Sequence, residues 1–339
     1  MQTKFGDISY GTQYALVAKL LAAFYPLCVC ARFGQPEVQD KNKGLIRKWR
    51  RYDPIPPATA PVSEGVTPPG QKITFTDYTA VLQEYIHIVE LTDVVADAHQ
   101  DPILSERTDA LGQANAQTIE LVTISVLCGG TQAAYAGSGA INRSTVCGVP
   151  TNGDFLKILR ALDNGLAKPI TKIINPTPLI NTSAVLPGFY GFCHTNLIAD
   201  LEHISGFQKI SNYANPGMAQ EGEFGALGRI RFIATPNFKP YEAVGGQSAT
   251  FLSGGAAVDA PAACDVYPII VIGKDCYATV ALKGYSAAQI FVLNPNTARG
   301  GDPAGQRGSV SSKIWYTAAI LTQPHLVRYE VACTANPNW

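Results

Sequence analysis

The sequence predicts an α+β fold, in which helices and strands occupy largely separate stretches of the chain. Three observations predict it. Helical periodicity extends through residues 101–130, a β-branched and aromatic run covers 72–93, and short strand patterns are scattered through the second half. The 339 residues contain no internal repeat and suffice for one large domain or two closely joined ones.

Composition narrows the classes of function. Lysine and arginine together number 26, as do aspartate and glutamate, and only 15% of the residues are charged. A neutral chain argues against tight electrostatic wrapping of nucleic acid, which requires concentrated basic charge. Because 46% of the residues are hydrophobic, few polar groups remain to cover a monomer. This balance favours extensive contact with other subunits.

The N-terminal region predicts an amphipathic arm. An apolar run over residues 14–31 resembles a signal peptide, the less favoured alternative, but Lys19 and Pro26 interrupt it and it is too short to span a bilayer. The eight cysteines form no Cys-x-x-Cys pair, and most have apolar neighbours. This pattern is typical of free buried thiols in a reducing cytoplasm rather than of a disulfide framework.

A long β-hairpin is predicted from residues 43–52 and 72–93, joined by a proline-rich loop. Charge on both faces of 43–52 argues against a place in the core. The 22 residues of the second strand would extend roughly 70 Å, whereas a globular domain of this length is only about 50 Å across. The hairpin would therefore project and expose strand edges to other chains. The alternative is two shorter strands with a break near 77–79.

A long helix is predicted from Asp101 to Gly130. Asp101 suits the N-cap and Pro102 the first helical position. Apolar residues then recur close to every 3.6 residues, and Gly129 with Gly130 is expected to end the helix in a left-handed conformation. About 27 helical residues would span roughly 40 Å. Both a core helix of an ordinary domain and the spine of a flat building block fit this pattern.

Shorter elements are predicted in the second half of the chain. Helices are expected over 154–166, with Asp154 as the N-cap, and after Thr195, which can cap the next one. Strands are expected over 189–192, 229–234, 266–272, 314–321 and 326–333. The last of these alternates apolar and charged residues, as in a strand with one buried face. Residues 239–263 predict a surface loop, and the Gly/Ala/Ser-rich stretch 131–153 predicts a domain boundary.

The sequence lacks the motifs of common catalytic sites. Residues 273–275, Gly-Lys-Asp, lack the hydroxyl residue of a Walker loop, and no Gly-x-Ser-x-Gly sequence occurs. The five histidines never fall at His-x-x-x-His spacing. The acidic group around His99 fits helix caps better than a metal site. We therefore expect no enzyme activity, no metal ion and no other cofactor.

The loop over residues 294–308 contains Arg299 and Arg307 among several glycines. Such a loop could cradle a phosphate group. Pairing of arginine with aspartate inside an ordered wide turn is the favoured interpretation.

Four stretches of the sequence carry a resemblance to one protein family. They read APVSEGVTP at 60–68, VELTDVVADAHQDP at 89–102, CDVYPIIVIGKDCY at 264–277 and LNPNTARGGDPAGQRG at 293–308. The chain resembles the major capsid proteins of tailed double-stranded DNA phages, in the family typified by the shell protein of coliphage N-four. The similarity extends over nearly the whole chain, and it departs from the family at 239–263, which looks like an expanded loop.

The resemblance implies the capsid fold first described for a Hong Kong phage. It assigns 1–44 to an N-terminal arm, 45–80 to an extended loop, 81–150 to a peripheral domain with a spine helix, 151–306 to an axial domain, and 307–339 to C-terminal strands returning to the peripheral domain. It implies a virion protein that self-assembles through hexamers and pentamers into an icosahedral head around double-stranded DNA, which its inner face binds non-specifically. Portal, scaffold and decoration proteins are further implied partners, a membrane is not, and assembly would take place in the host cytoplasm.

Contacts between subunits are expected on the extended loop. The candidate residues are Arg47, Lys48, Arg50 and Arg51, with Glu64 at the loop tip as an acceptor and Arg299 and Arg307 as further contacts. A solvated charged face is the alternative for the four cations. Two rival functions remain open. One is a nanocompartment shell of the same fold that encloses protein cargo, and the other is a soluble α+β enzyme with an unrecognised site.

Overall fold

The computed structural model describes residues 28–335 apart from 54, 60, 66, 68, 94–102, 172–185, 214–218, 258–260, 284–288, 296 and 299–300. Within these residues the chain forms sixteen β-strands and three α-helices. The strands are β1 (Gln35–Gln39), β2 (Ile46–Tyr52), β3 (Phe75–Val81), β4 (Gln83–Thr92), β5 (Ala133–Tyr135), β6 (Phe189–Cys193), β7 (Phe207–Lys209), β8 (Glu223–Leu227), β9 (Ile230–Ala234), β10 (Gln247–Ser248), β11 (Ala262–Ala263), β12 (Val266–Ile272), β13 (Tyr277–Leu282), β14 (Gln289–Leu293), β15 (Arg307–Ile320) and β16 (Leu326–Ala332). The helices are α1 (Ile103–Cys128), α2 (Asn152–Asn164) and α3 (Ile198–Glu202).

Two sheets contain most of the strands. The seven-stranded sheet has the order β5-β16-β12-β6-β9-β8-β7. The five-stranded sheet has the order β1-β13-β15-β14, with β4 also paired along β15. Two further pairs, β2 with β3 and β10 with β11, lie outside both sheets. The fold is therefore a mixed arrangement of helices and sheets, as the sequence predicts.

The main core covers both faces of the seven-stranded sheet. Strand β12 lies between β16 and β6 and is buried along its whole length, which explains the unbroken apolar run of its sequence. The apolar face predicted for α2 packs on one side of the sheet, and all of its members are buried: Phe155, Ile158, Leu159 and Leu162. The last turns of α1, with Ile124 and Leu127, pack on the other side.

Helix α1 confirms the predicted long helix over its described length. Its 26 residues extend about 39 Å; Asp101 and Pro102 lie outside the described residues. The predicted left-handed stop is wrong, because neither Gly129 nor Gly130 has a positive φ. Gly130 is needed for space instead, since a Cβ at this position would overlap the side chain of Leu326.

Polar side chains bridge α1 and the five-stranded sheet. The Ser312 hydroxyl donates to Asn115 Oδ1 at 3.1 Å, and the hydroxyls of Thr123 and Tyr316 are 2.7 Å apart. Asn115, Thr123 and Ser312 are fully buried. Because a shifted helix would leave these groups unpaired in the interior, the bonds specify how α1 lies on β15.

The run over residues 72–93 is not one strand. It divides at Leu82, which is 2% exposed, into β3, which pairs with β2, and β4, which pairs with β15 from Thr92↔Arg307 to Gln83↔Tyr316. The predicted single long strand is therefore wrong. The alternative of two shorter strands is correct, although the break lies at Leu82 rather than at 77–79. The buried Leu82 marks the position at which the chain leaves the exposed β2–β3 pair and enters the five-stranded sheet.

Two predicted N-caps are replaced by an earlier residue, three positions back at α2 and one position back before α3. At α2 the Thr151 hydroxyl accepts the N–H of Asp154 at 3.3 Å, and Asp154 lies in the first turn. Before α3, Nδ1 of His194 accepts the N–H of Asn196 at 3.0 Å and caps a 3₁₀ turn that begins at Thr195. Both replacements satisfy the free N–H groups that begin a helix.

Strand β16 does not have the single buried face that its alternation predicts. It lies between β5 and β12, and its Glu330 is fully buried. Arg143 donates to Glu330 at 2.9 and 2.6 Å, and Arg328 Nε lies 2.9 Å from the same carboxylate. The charged residues of this face are therefore stabilised by ion pairs rather than by contact with solvent. The stretch 307–339 is divided, with β15 in the five-stranded sheet and β16 in the seven-stranded one.

The described part of residues 239–263 lies mostly at the surface, as predicted. The carboxylate of Asp265 holds it in place by accepting N–H groups of Ala243, Gly254 and Gly255 at 2.8, 2.8 and 2.6 Å. All eight cysteines are free thiols, and six of them are buried.

Candidate interaction surface

Strands β2 and β3 form an antiparallel hairpin, hereafter the hairpin, outside both main sheets. Their residues face one another from Ile46↔Val81 at the base to Tyr52↔Phe75 at the far end. Apart from Ala80, every residue of the two strands is exposed or half-buried. Four large apolar side chains are more than half exposed, namely Ile46, Tyr52, Phe75 and Val81. The hairpin therefore presents apolar surface that its own chain leaves uncovered.

Arg50 is paired within the hairpin. It lies opposite Asp77 in the register and donates from Nε and Nη2 to the two carboxylate oxygens at 2.8 and 3.0 Å. Its guanidinium carbon also lies 4.0 Å from the centre of the Phe75 ring. The hydrogen bonds from Arg50 hold the pKa of Asp77 below its ordinary value, with a smaller contribution from the charge of Lys48.

Two other predicted cations connect the hairpin to the rest of the molecule. Arg47 Nη2 donates to Glu37 Oε2 on β1 at 2.7 Å. Arg51 Nη1 donates to the Thr322 hydroxyl, just beyond β15, at 3.2 Å. Lys48 is exposed. The structure therefore brings the four cations together on β2 and gives three of them hydrogen-bond partners within the same chain.

The remaining predicted contact residues lie elsewhere. Glu64 is exposed in the loop between β2 and β3, beside Gly65 with a φ of +81°. Arg307 begins β15, and its backbone N–H donates to Asp302 Oδ2 at 2.8 Å. This hydrogen bond is the main reason that the pKa of Asp302 is lowered. The predicted arginine–aspartate contact is thus made by the backbone of Arg307, and Arg299 lies outside the described residues.

A second exposed apolar surface lies on the five-stranded sheet, on the side away from α1. Ile86, Ile88 and Phe291 are each more than half exposed. Ile88 and Phe291 flank Ser311 from opposite sides in the strand register. The sequence analysis missed this surface, although β4 carries apolar residues on both of its faces, Ile86 and Ile88 on one and Tyr85 and Val89 on the other, and this pattern could have indicated it.

The sequence analysis also missed the acidic partners Glu37, Asp77 and Glu120. Asp77 becomes visible once the β2–β3 register is known. Glu120 is a lone carboxylate on a helix face that otherwise carries Ala116, Ile124 and Leu127, and it is fully buried. A charged residue within an apolar stripe is the signal that could have found it.

No group of three or more His, Cys, Asp or Glu side chains within the described residues is placed to hold a metal ion. None of the described helices combines the length and hydrophobicity needed to cross a membrane. Exposed apolar side chains beside paired charges are instead the chemistry of contact between proteins.

A model of one protein family, described as phage capsid protein, matches residues 76–326. The chain belongs to this family. The match begins in β3 and ends at the first residue of β16, so it includes strands of both main sheets. The protein is accordingly a structural major capsid protein of a bacteriophage and not an enzyme. No curated protein matches its sequence.

Solved capsid structures share the fold of this capsid protein. The capsid of Ralstonia phage GP4 superposes with a TM-score of 0.62 at 11% identity, covering 89% of this chain and 88% of the other. The head structure of Helicobacter pylori bacteriophage KHP40 gives 0.57 at 10% identity, with coverages of 98% and 94%. The SrpI encapsulin of Synechococcus elongatus gives 0.50 at 11% identity, with coverages of 89% and 86%. The predicted resemblance to phage capsid proteins is confirmed, while the N-four-like subgroup stays a prediction.

Proposed function

We propose that this capsid protein assembles through hexamers and pentamers into an icosahedral phage head that encloses double-stranded DNA. The observation that carries the proposal is the hairpin, which lies outside both main sheets with four large apolar side chains more than half exposed. Exposed apolar area of this kind marks a surface for another protein. In a closed ring of identical subunits, a neighbour supplies that cover.

The proposal includes the Hong Kong phage fold in its N-four-like form. Residues 1–44 would be the N-terminal arm, 45–80 the extended loop that contains the hairpin, and 81–150 the peripheral domain with α1 as the spine helix. The axial domain, 151–306, would be built on the seven-stranded sheet. The pairing of β15 with β4 supports the return of the C-terminal stretch 307–339 to the peripheral domain, whereas β16 pairs with β12 of the seven-stranded sheet.

Among the proposed inter-subunit contacts, Lys48 and Glu64, which are both exposed, are the strongest. Arg47, Arg50 and Arg51 are engaged with Glu37, Asp77 and Thr322 of the same chain, so they support the position of the hairpin as well. Arg299 and Arg307 remain candidates.

The proposed partners follow from assembly and charge. A chain with equal numbers of acidic and basic residues would contact packaged DNA non-specifically rather than by sequence. Portal, scaffold and decoration proteins complete the proposed set, and assembly would take place in the host cytoplasm. The likeness to the SrpI encapsulin favours one second candidate, a nanocompartment shell that encloses protein cargo.

The contents and mass of purified particles test the proposal. Light scattering should give megadalton particles, and virions should contain this chain around nuclease-resistant DNA. Particles filled with protein would support the nanocompartment instead, and assemblies of one to four subunits would contradict both shells.

A charge-reversal pair tests the hairpin contacts. K48E/R51E reverses two exposed cations and breaks the Arg51–Thr322 hydrogen bond, while it leaves the Arg50–Asp77 pair in place. We expect normal folding and a loss of particles, because like charges would meet across the subunit contact. K157E/R160E, which alters two exposed residues of α2, is the matched control and should still assemble. Normal particles from K48E/R51E would contradict the assignment.

A further inference from the structure

A short segment of the N-terminal region crosses three parts of the molecule. We name residues 28–39 the strap. It consists of Cys28 and Val29, a 3₁₀ turn over Cys30–Phe33, Gly34, and strand β1. Cys28 and Cys30 are 5% and 0% exposed, whereas Val38 near the other end is 47% exposed. The strap is thus buried at its start, while β1 alternates half-buried and exposed residues before it ends at the buried Gln39.

Glu120 of α1 holds the start of the strap. The N–H of Cys30 lies 2.8 and 3.1 Å from the two carboxylate oxygens, and the N–H of Ala31 lies 3.3 Å from Oε2. On the other side, the Tyr277 hydroxyl donates to the carbonyl of Cys30. Burial raises the pKa of Glu120, and the N–H groups of the strap oppose that rise. The carboxylate therefore satisfies backbone donors that would otherwise be buried without an acceptor.

The middle of the strap contacts both main sheets. The Phe33 ring lies 4.4 Å from that of Tyr190 and 5.5 Å from that of Phe192, both in the seven-stranded sheet. Strand β1 then pairs in parallel with β13 of the five-stranded sheet. Gly34 permits this passage, since a Cβ there would lie 2.6 Å from a ring carbon of Tyr277.

The end of the strap holds the base of the hairpin. Glu37 of β1 accepts from Arg47 of β2 at 2.7 Å. Gln39, which is 5% exposed, donates from Nε2 to the carbonyl of Gly44 at 3.2 Å, just before β2. These two contacts connect the position of the strap to the direction in which the hairpin leaves the body.

We propose that the strap is a releasable connection, latched at Glu120, that sets the direction of the hairpin relative to α1 and the two main sheets. The start of the strap depends on one carboxylate for the N–H groups of Cys30 and Ala31. Loss of that acceptor leaves buried donors unpaired and favours the undocked strap, which frees Glu37 and Gln39 from the hairpin base. The inference goes beyond the proposed function and does not depend on it, because it concerns a single chain.

Hydrogen exchange of the full-length unassembled chain tests the latch. E120A removes both acceptor oxygens and places a good helix former in α1. We expect amides of residues 30–39 to exchange at least tenfold faster, while amides of β12 and β16 are unchanged. E221A is the matched control, because it removes the exposed 3.0 Å contact with Arg32, and we expect less than a twofold change.

A variant on the strap itself distinguishes a latch from general support of the fold. F33A removes the ring contacts with Tyr190 and Phe192 and should give the same local increase as E120A. Unchanged exchange over 30–39 in E120A would overturn the proposal. An equal increase throughout β12 and β16 would overturn it as well, because Glu120 would then stabilise the whole fold.

The direction of the hairpin can be measured separately. Thr79 is exposed on β3, and Cys147 is the exposed native cysteine, so T79C and Cys147 accept a pair of spin labels. We expect one narrow distance distribution with an intact latch and a broad one in the E120A background. A distribution unaffected by E120A would overturn the link between strap and hairpin.

Discussion

At the scale of single residues, buried carboxylates hold together parts of the chain that are distant in sequence. Glu330 pairs with two arginines, and Asp265 accepts three N–H groups of a surface loop. Glu120 accepts backbone N–H groups of the strap. In each case, charged groups or backbone N–H groups replace the water that the carboxylate loses on burial. Removal of Glu330 or Glu120 leaves donors in the interior without an acceptor, which costs more than an average hydrogen bond contributes.

Glu330 provides the first prediction at this scale. E330Q removes the charge shared by Arg143 and Arg328, and we expect it to lower the free energy of unfolding by about 3 kcal/mol, as expected for breaking a buried pair. Denaturant unfolding of the unassembled chain measures this. E202Q breaks the exposed Lys209–Glu202 contact and should cost less than about 1 kcal/mol. Equal small losses in both variants would show that the Glu330 pairs contribute little.

Asp77 provides a prediction about pH. Its pKa in the folded chain lies below the ordinary value of 3.8 because Arg50 donates to it. A lowered pKa means that the contribution of this pair is complete above pH 3.8 and is lost as the pH falls through the folded value. Titration of the Asp77 carboxyl by NMR should therefore give a midpoint below 3.8, and R50Q should move it upward. The same midpoint in both proteins would mean that Arg50 does not hold this carboxylate in solution.

At the scale of elements, Leu82 decides where the hairpin ends. It is 2% exposed and its N–H donates to the carbonyl of Leu45 at 2.9 Å. The residues on either side belong to different pairs of strands, β3 with β2 and β4 with β15. One buried side chain thus separates the exposed hairpin from the five-stranded sheet.

Truncation at this position tests that role. L82A should lower the free energy of unfolding by about 3 kcal/mol, the usual cost of a buried Leu→Ala change. V81A, at a neighbouring residue that is 53% exposed, should cost less than about 1 kcal/mol. A comparison of urea midpoints measures both, and comparable losses would indicate that Leu82 is not an anchor.

The elements that the sequence predicts well are those with a local pattern. Helix α1, helix α2 and strand β12 follow from periodicity or from an unbroken apolar run within one segment. The break at Leu82 could not be predicted in the same way. A leucine among residues that favour strands gives the same sequence pattern whether its side chain is exposed or buried. The burial of Glu330 depends on Arg143, 187 residues away, and no pattern within one strand contains that information.

The candidate site shows the same division. The cluster of cations on β2 could be predicted from the sequence, because charge on both faces of a strand is a local signal. Their partners could not, since Asp77 requires the hairpin register and Thr322 lies 271 residues from Arg51. The two N-cap errors were of three positions at α2 and of one position before α3, where nearby residues can each accept an N–H group.

At the scale of the whole molecule, the two main sheets form the body, and the hairpin lies outside both of them. The strap and Leu82 secure the base of the hairpin, while its apolar side chains stay uncovered. Membership of the phage capsid family explains why such a surface persists, since a subunit of a shell requires surface for its neighbours.

The most direct test of this account is a cryo-electron microscopy map of particles assembled from the purified protein. We predict closed icosahedral shells in which the β2–β3 hairpin lies against a neighbouring subunit and buries Tyr52 and Phe75. Closed shells in which the hairpin contacts only its own subunit, or a failure of the pure and folded chain to form shells under any assembly condition, would contradict the account.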